Sequence, residues 1–102
     1  MQTLCIENDM TIYTAAEQRQ ILVAFLESGA DLEINLAQVN EIDTAGLQLL
    51  ILSKHEAAQA QKTLRFVMHS AAVTDILELT NLTGVLGDPL LLVSNSGEHA
   101  CT

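Results

Sequence analysis

Apolar positions along the chain change their period several times, and each change predicts an element. Leu4 to Ile6 and Met10 to Tyr13 are short apolar runs separated by Glu7-Asn8-Asp9. Asn and Asp favour a turn there, so the pattern predicts an opening antiparallel hairpin. Thr14-Ala15-Ala16-Glu17 has the S/T-x-x-E form of a capping box, and Leu22, Phe25 and Leu26 follow at helical spacing until Gly29. Leu32, Ile34 and Leu36 then alternate with Glu33, Asn35 and Ala37, the period of a strand with one face more polar than the other. A second, longer helix is predicted from near Asp43-Thr44 to about Gln61, with Leu47, Leu50, Ile51, Ala57 and Ala58 along one stripe. Leu64 to Met68 reads as another strand, and Ser70 as the cap of a third helix that buries Val73, Ile76, Leu77 and Thr80.

The expected order is ββαβαβα. Strands separated by helices of this length require parallel crossovers, which are almost always right-handed. The fold class is therefore α/β: a mixed, mainly parallel sheet with helices packed against it. Past Gly87-Asp88-Pro89, the run Leu90 to Val93 is expected to add an edge strand, and Ser94 to Thr102 to form a polar tail. Residues 1–93 are read as a single domain and 94–102 as the tail. A chain of 102 residues buries roughly two-thirds of its unfolded surface, enough for a core without staples.

Charge narrows the range of partners. Four basic residues against thirteen acidic ones give a net charge of −9, and such a chain is repelled by phosphate backbones and anionic lipid surfaces. Nucleic acid and direct membrane binding are disfavoured. The acidity serves solubility, or it steers in a basic protein surface. The first ten residues carry Glu7 and Asp9 and none of the basic and apolar pattern of a secretory signal. Leu47 to Leu52 is far shorter than the ~20 apolar residues of a membrane-spanning helix. The expected location is the cytoplasm, with Cys5 and Cys101 as reduced thiols.

Signatures of catalysis are not found. In His55-Glu56 the position that would hold the second histidine of H-E-x-x-H is Gln59. His69 and His99 fit no ligand spacing with it, and a solvated histidine is the expectation for each. Gly84 and Gly87 form no phosphate-binding turn, and no G-x-S-x-G elbow occurs. No enzyme activity, catalytic residue, metal or cofactor is expected.

The distinctive segment is Val39-Asn40-Glu41-Ile42-Asp43-Thr44-Ala45-Gly46-Leu47, where a strand gives way to the long helix. Structure alone accounts for much of it: Asp43 or Thr44 can cap the helix, and Gly46 can let its first turn pack closely. The run Asp43-Thr44-Ala45-Gly46-Leu47 nevertheless resembles the D-[ST]-x-G-L signature of the STAS family. The element order and the third-helix stretch Ala72-Val73-Thr74-Asp75-Ile76-Leu77-Glu78-Leu79, followed by Leu82, extend the likeness over nearly the whole chain.

Among STAS proteins, the resemblance is to the anti-sigma-factor antagonists. It implies that Thr44 is phosphorylated by a partner that is both kinase and anti-sigma factor, and that Asp43, Thr44, Ala45, Gly46, Leu47 and Gln48 contact that partner. Where the family often carries Gly-Glu-Leu-Asp, this chain has Ile12-Tyr13-Thr14-Ala15-Ala16-Glu17, and the Thr-Ile-Tyr-Thr-Ala-Ala-Glu run looks like STAS proteins associated with chemosensory kinases. An alternative implied role is the cytoplasmic STAS subunit of a lipid-type ABC transporter, with Thr44 as an interface residue. Leu49 and Leu52 fall on flanks of the second helix that one sheet need not cover. They either form a docking patch beside Thr44 or are buried by a neighbouring element.

Overall fold

The structure, a computed structural model, describes residues 2–80. The expected edge strand at Leu90–Val93 and the tail 94–102 lie outside the described residues. Within them the order is β1 (Gln2–Cys5), α1 (Ala15–Leu26), β2 (Asp31–Asn35), α2 (Thr44–Gln59), β3 (Thr63–Val67) and α3 (Ala71–Thr80). The three strands form one parallel sheet in the order β1-β2-β3, with Leu4 opposite Ile34 and Ile34 opposite Phe66. The α/β class and the parallel crossovers are borne out.

The opening hairpin is not. β1 pairs in parallel with β2, and the second apolar run contributes only a single parallel bridge from Met10 to Ile42. Asn8 and Asp9 do redirect the chain, but into a loop that crosses the end of the sheet rather than back along β1. Thr11 to Thr14 then form a turn closed by the Thr14 amide on the Thr11 carbonyl at 3.0 Å.

β2 is central, so its alternation hides burial on both faces. Leu32 and Ile34 are fully buried, and Glu33 and Asn35 nearly so. Glu33 lies 3.7 Å from the Arg65 guanidinium on β3, and the Asn35 carboxamide oxygen accepts from the Ala37 amide at 2.9 Å. Buried polar groups need such partners. The core is completed by Leu22 and Leu26 from α1, Leu47, Leu50 and Ala57 from α2, and Val73 and Leu77 from α3. Ala58, expected on the buried stripe of α2, is exposed.

Helix termini follow three different solutions. Thr14 stands at the N-cap of α1, but its hydroxyl makes no cap bond; it donates instead to the Asp9 carbonyl at 2.6 Å and accepts from the Thr11 amide at 3.0 Å. Ser70 caps α3 as expected, accepting from the Val73 amide and donating to the Val39 carbonyl.

The C-terminus of α2 closes as a Schellman motif, with the Lys62 amide on the Ala57 carbonyl at 2.8 Å and the Gln61 amide on that of Ala58 at 3.1 Å. Gln61 sits there at φ 60°, a conformation that favours glycine. Gln61→Gly is expected to raise stability by roughly 0.5–1 kcal/mol. A higher urea midpoint with unchanged slope would show it, and an unchanged or lower midpoint would refute it.

His69 is only 1% exposed rather than solvated, because it lies in a continuous buried run from Phe66 to Ser70 at the end of β3; His99 lies outside the described residues. Cys5 is disulfide-bonded rather than a reduced thiol. Cys5 stands half-buried at the end of β1, an edge strand among the described residues. Cys101 lies outside the described residues. Among the described residues no helix is long and apolar enough to cross a membrane.

Candidate functional site

The corner where β2 gives way to α2 is built around Asp43. Its backbone is extended (φ −115°, ψ −171°), which stops the helix from propagating backwards and turns the side chain over the first turn. One carboxylate oxygen, Oδ1, accepts from the Gly46 amide at 3.1 Å. The other, Oδ2, accepts from the Ile12 amide at 3.0 Å. A single side chain thus caps α2 and fastens the loop that follows β1.

Backbone bonds reinforce the joint. The Met10 amide donates to the Glu41 carbonyl at 2.9 Å, the Asp43 amide to the Met10 carbonyl at 3.1 Å, and the Glu41 amide to Asp9 Oδ1 at 3.2 Å. Amide donors stabilise a carboxylate over a carboxylic acid. The Ile12 amide foremost, then that of Gly46, hold the Asp43 carboxyl below its ordinary value of 3.8; partial desolvation opposes them, and the Ala45 and Asp43 amides add smaller lowering.

Gly46 has a specific steric reason. A Cβ at this position would lie 2.0 Å from the Met10 carbonyl oxygen and 2.7 Å from the Met10 carbonyl carbon. The first turn of α2 rests on the loop with no room for a methyl group.

The six residues nominated from sequence form one continuous turn with different exposures. Thr44 and Gln48 are exposed, Asp43 and Ala45 half-buried, and Gly46 and Leu47 buried. Thr44 begins the helix, and its hydroxyl makes no hydrogen bond with another described residue. Of the two candidate docking leucines, Leu49 is 8% exposed and lies in the seam between α1 and α2 with Leu22 and Leu26, whereas Leu52 is 39% exposed. Burial by α1 removes Leu49 from any patch beside Thr44. No group of three or more His, Cys, Asp or Glu among the described residues could hold a metal ion.

Sequence reasoning missed the loop itself. Ile12 and Tyr13, expected in a strand, are 69% and 95% exposed, with the Ile12 amide on Asp43. The available signal was the Thr11-x-x-Thr14 spacing, which suits a hydroxyl-closed turn better than a strand. In the turn, Thr11 Oγ1 accepts from the Tyr13 amide at 3.3 Å.

The family model described as "Mlab, STAS domain" matches residues 2–93. Among solved structures, a crystal structure of a Thermotoga maritima protein described as an anti-sigma factor antagonist superposes with a TM-score of 0.72 at 19% identity, covering 94% of this chain and 80% of that one. The search of curated proteins finds no match. With a family model spanning most of its length and a shared fold, the chain belongs to the STAS domain family.

Proposed function

We propose that this STAS domain is a regulatory protein-binding module that acts by partner switching, with Thr44 as the phosphoacceptor. The observation that carries the reading is the contrast at the α2 N-terminus: an exposed threonine follows a residue whose side chain and backbone are held by four amide and carbonyl contacts. A hydroxyl that is free to react on a turn that cannot move suits a site modified without refolding.

Phosphorylation adds roughly −1.5 to −2 charges and three strong acceptors. The helix N-terminus tolerates that charge in the free domain. In an interface the dianion lies beside Asp43 and Glu41, and burying it there costs desolvation and like-charge repulsion. Partner binding weakens while the fold persists. Thr44, Gln48, Asp43 and Ala45 supply the contact surface, and Gly46 and Leu47 act by fixing its shape from below. The partner is a kinase-type protein, an anti-sigma factor with serine kinase activity or a chemosensory relative, in the cytoplasm. The net charge of −9 argues against nucleic acid and direct membrane contact, and the domain binds rather than catalyses.

The test compares wild type, Thr44→Asp and Thr44→Ala in affinity capture from native lysate, followed by titration of the purified captured protein. A kinase-fold partner should bind wild type and Thr44→Ala, and bind Thr44→Asp about tenfold or more weakly, with thermal midpoints of the three domains within ~2 °C. Capture of an ABC transporter ATPase, indifferent to charge at residue 44, would replace this reading with the transporter-subunit role.

A further inference from the structure

We infer that the Thr11–Thr14 turn is a second half of the partner interface: Ile12 and Tyr13 form an apolar anchor that docks into a pocket ringed by arginine or lysine. This rests on the partner-switching reading and names the chemistry of the partner.

Two large apolar side chains are displayed together at 69% and 95% exposure, although nothing in their own backbone frees them. The Ile12 amide is held by Asp43 Oδ2 and the Tyr13 amide by Thr11 Oγ1, while Thr14 Oγ1 binds the Asp9 carbonyl. The turn is rigid and its side chains point outward. A backbone ordered in this way adds little entropy cost on binding, and a tyrosine has only two side-chain torsions to fix, which suits an interface hot spot.

Charge identifies the occupant. Glu7, Asp9 and Glu41 lie in the loops at this end of the sheet, Asp43 at the α2 cap and Glu17 in the first turn of α1. Of the four basic residues of the chain, three make contacts elsewhere and the fourth lines a different groove. Lys62 reaches the Leu26 carbonyl and Lys54 that of Leu64. Arg65 faces Glu33, and Arg19 lies in the α1–α2 seam near Leu49 and Glu56. An apolar pair at an end of the sheet where the charged residues of the neighbouring loops are acidic complements an apolar pocket with a basic rim, and disfavours both a second copy of itself and an anionic membrane.

Through Asp43, this anchor is tied to the residue preceding Thr44. A partner seated on Ile12 and Tyr13 therefore lies against the phosphoacceptor as well.

The test places the photo-reactive residue p-benzoylphenylalanine at position 13, and at Ala58 as a distant exposed control, in the native cell. The protein cross-linked from position 13 is then purified and titrated against the variants. Tyr13→Ala and Ile12→Ala should keep the wild-type thermal midpoint and bind that partner about tenfold or more weakly, and wild-type affinity should fall as salt is raised.

Binding of Tyr13→Ala within about twofold of wild type, or equal cross-linking from position 58, overturns the inference. So does a purified domain that sediments as a dimer and dissociates with Tyr13→Ala, which would make the occupant a second copy. The two readings fail separately. If Thr44→Asp blocks the partner and Tyr13→Ala does not, the anchor is wrong and the switch stands. If the reverse holds, the anchor stands and the switch is wrong.

Discussion

Replacing Gly46 with alanine should cost about 3 kcal/mol or more, or prevent folding. The added methyl would sit 2.0 Å from the Met10 carbonyl oxygen, far inside van der Waals contact, so a neighbour must move. The atom in the way belongs to backbone, which cannot rotate aside like a flexible side chain. That backbone is also pinned: the Met10 carbonyl accepts from the Asp43 amide, the Met10 amide donates to the Glu41 carbonyl, and the Met10 side chain is fully buried. Relief requires lifting the loop from α2, with loss of the Met10–Ile42 bridge and of the Ile12 bond to Asp43. Urea unfolding of Gly46→Ala beside wild type measures the effect. A loss below about 1 kcal/mol would mean that the loop retreats freely and that the corner is less rigid than its bonds suggest.

The next largest effect is expected at Asp43. Asp43→Ala removes the acceptors of two amides on different segments, Gly46 and Ile12, and should lower the thermal midpoint by roughly 5–10 °C. Asp43→Asn keeps one carbonyl oxygen but replaces the other with a donor, so one of the two amides loses its partner. Its midpoint should fall between wild type and alanine.

The pH dependence of this difference has a definite sign. The Ile12 amide, then that of Gly46, hold the folded carboxyl below its ordinary value of 3.8. The folded state therefore binds this proton more weakly than the unfolded state does. The stabilisation is fully present above about pH 4 and is lost as the pH falls through the depressed folded value. The gap between wild type and Asp43→Ala should narrow in acid. A gap that stays constant from neutral pH to about pH 2 would show that the carboxylate charge contributes nothing.

What could be read from the sequence follows from how local each signal is. Ser70 caps α3 and Asp43 caps α2 because a short polar side chain satisfies amides only a few residues away. The buried faces of β2 and α3 follow their apolar periods, with Leu32, Ile34, Val73 and Leu77 all enclosed. The loop after β1 is not legible in the sequence because four residues give no usable period. Met10 is buried and Ile12 and Tyr13 are exposed, a distribution fixed by contact with Ile42 and Asp43 some thirty residues away. Burial of Leu49 likewise depends on how closely α1 lies beside α2, and that of His69 on the buried run that continues past β3 from Phe66 to Ser70. In the candidate site, the motif and the role of Gly46 were legible from sequence. The partner loop that gives Gly46 its steric reason was not.

The corner around Asp43 is assembled across the chain. The bond from the Ile12 amide to Asp43 spans 31 residues and that from the Glu41 amide to Asp9 spans 32, so these contacts close only after α1 and β2 have been folded between them. The Asp43-Thr44-Ala45-Gly46-Leu47 run is short enough to copy as a peptide, yet such a peptide would carry the letters of the motif and none of its shape. Any partner that recognised this corner as a surface would therefore depend on the completed fold, and not on the five-residue sequence alone.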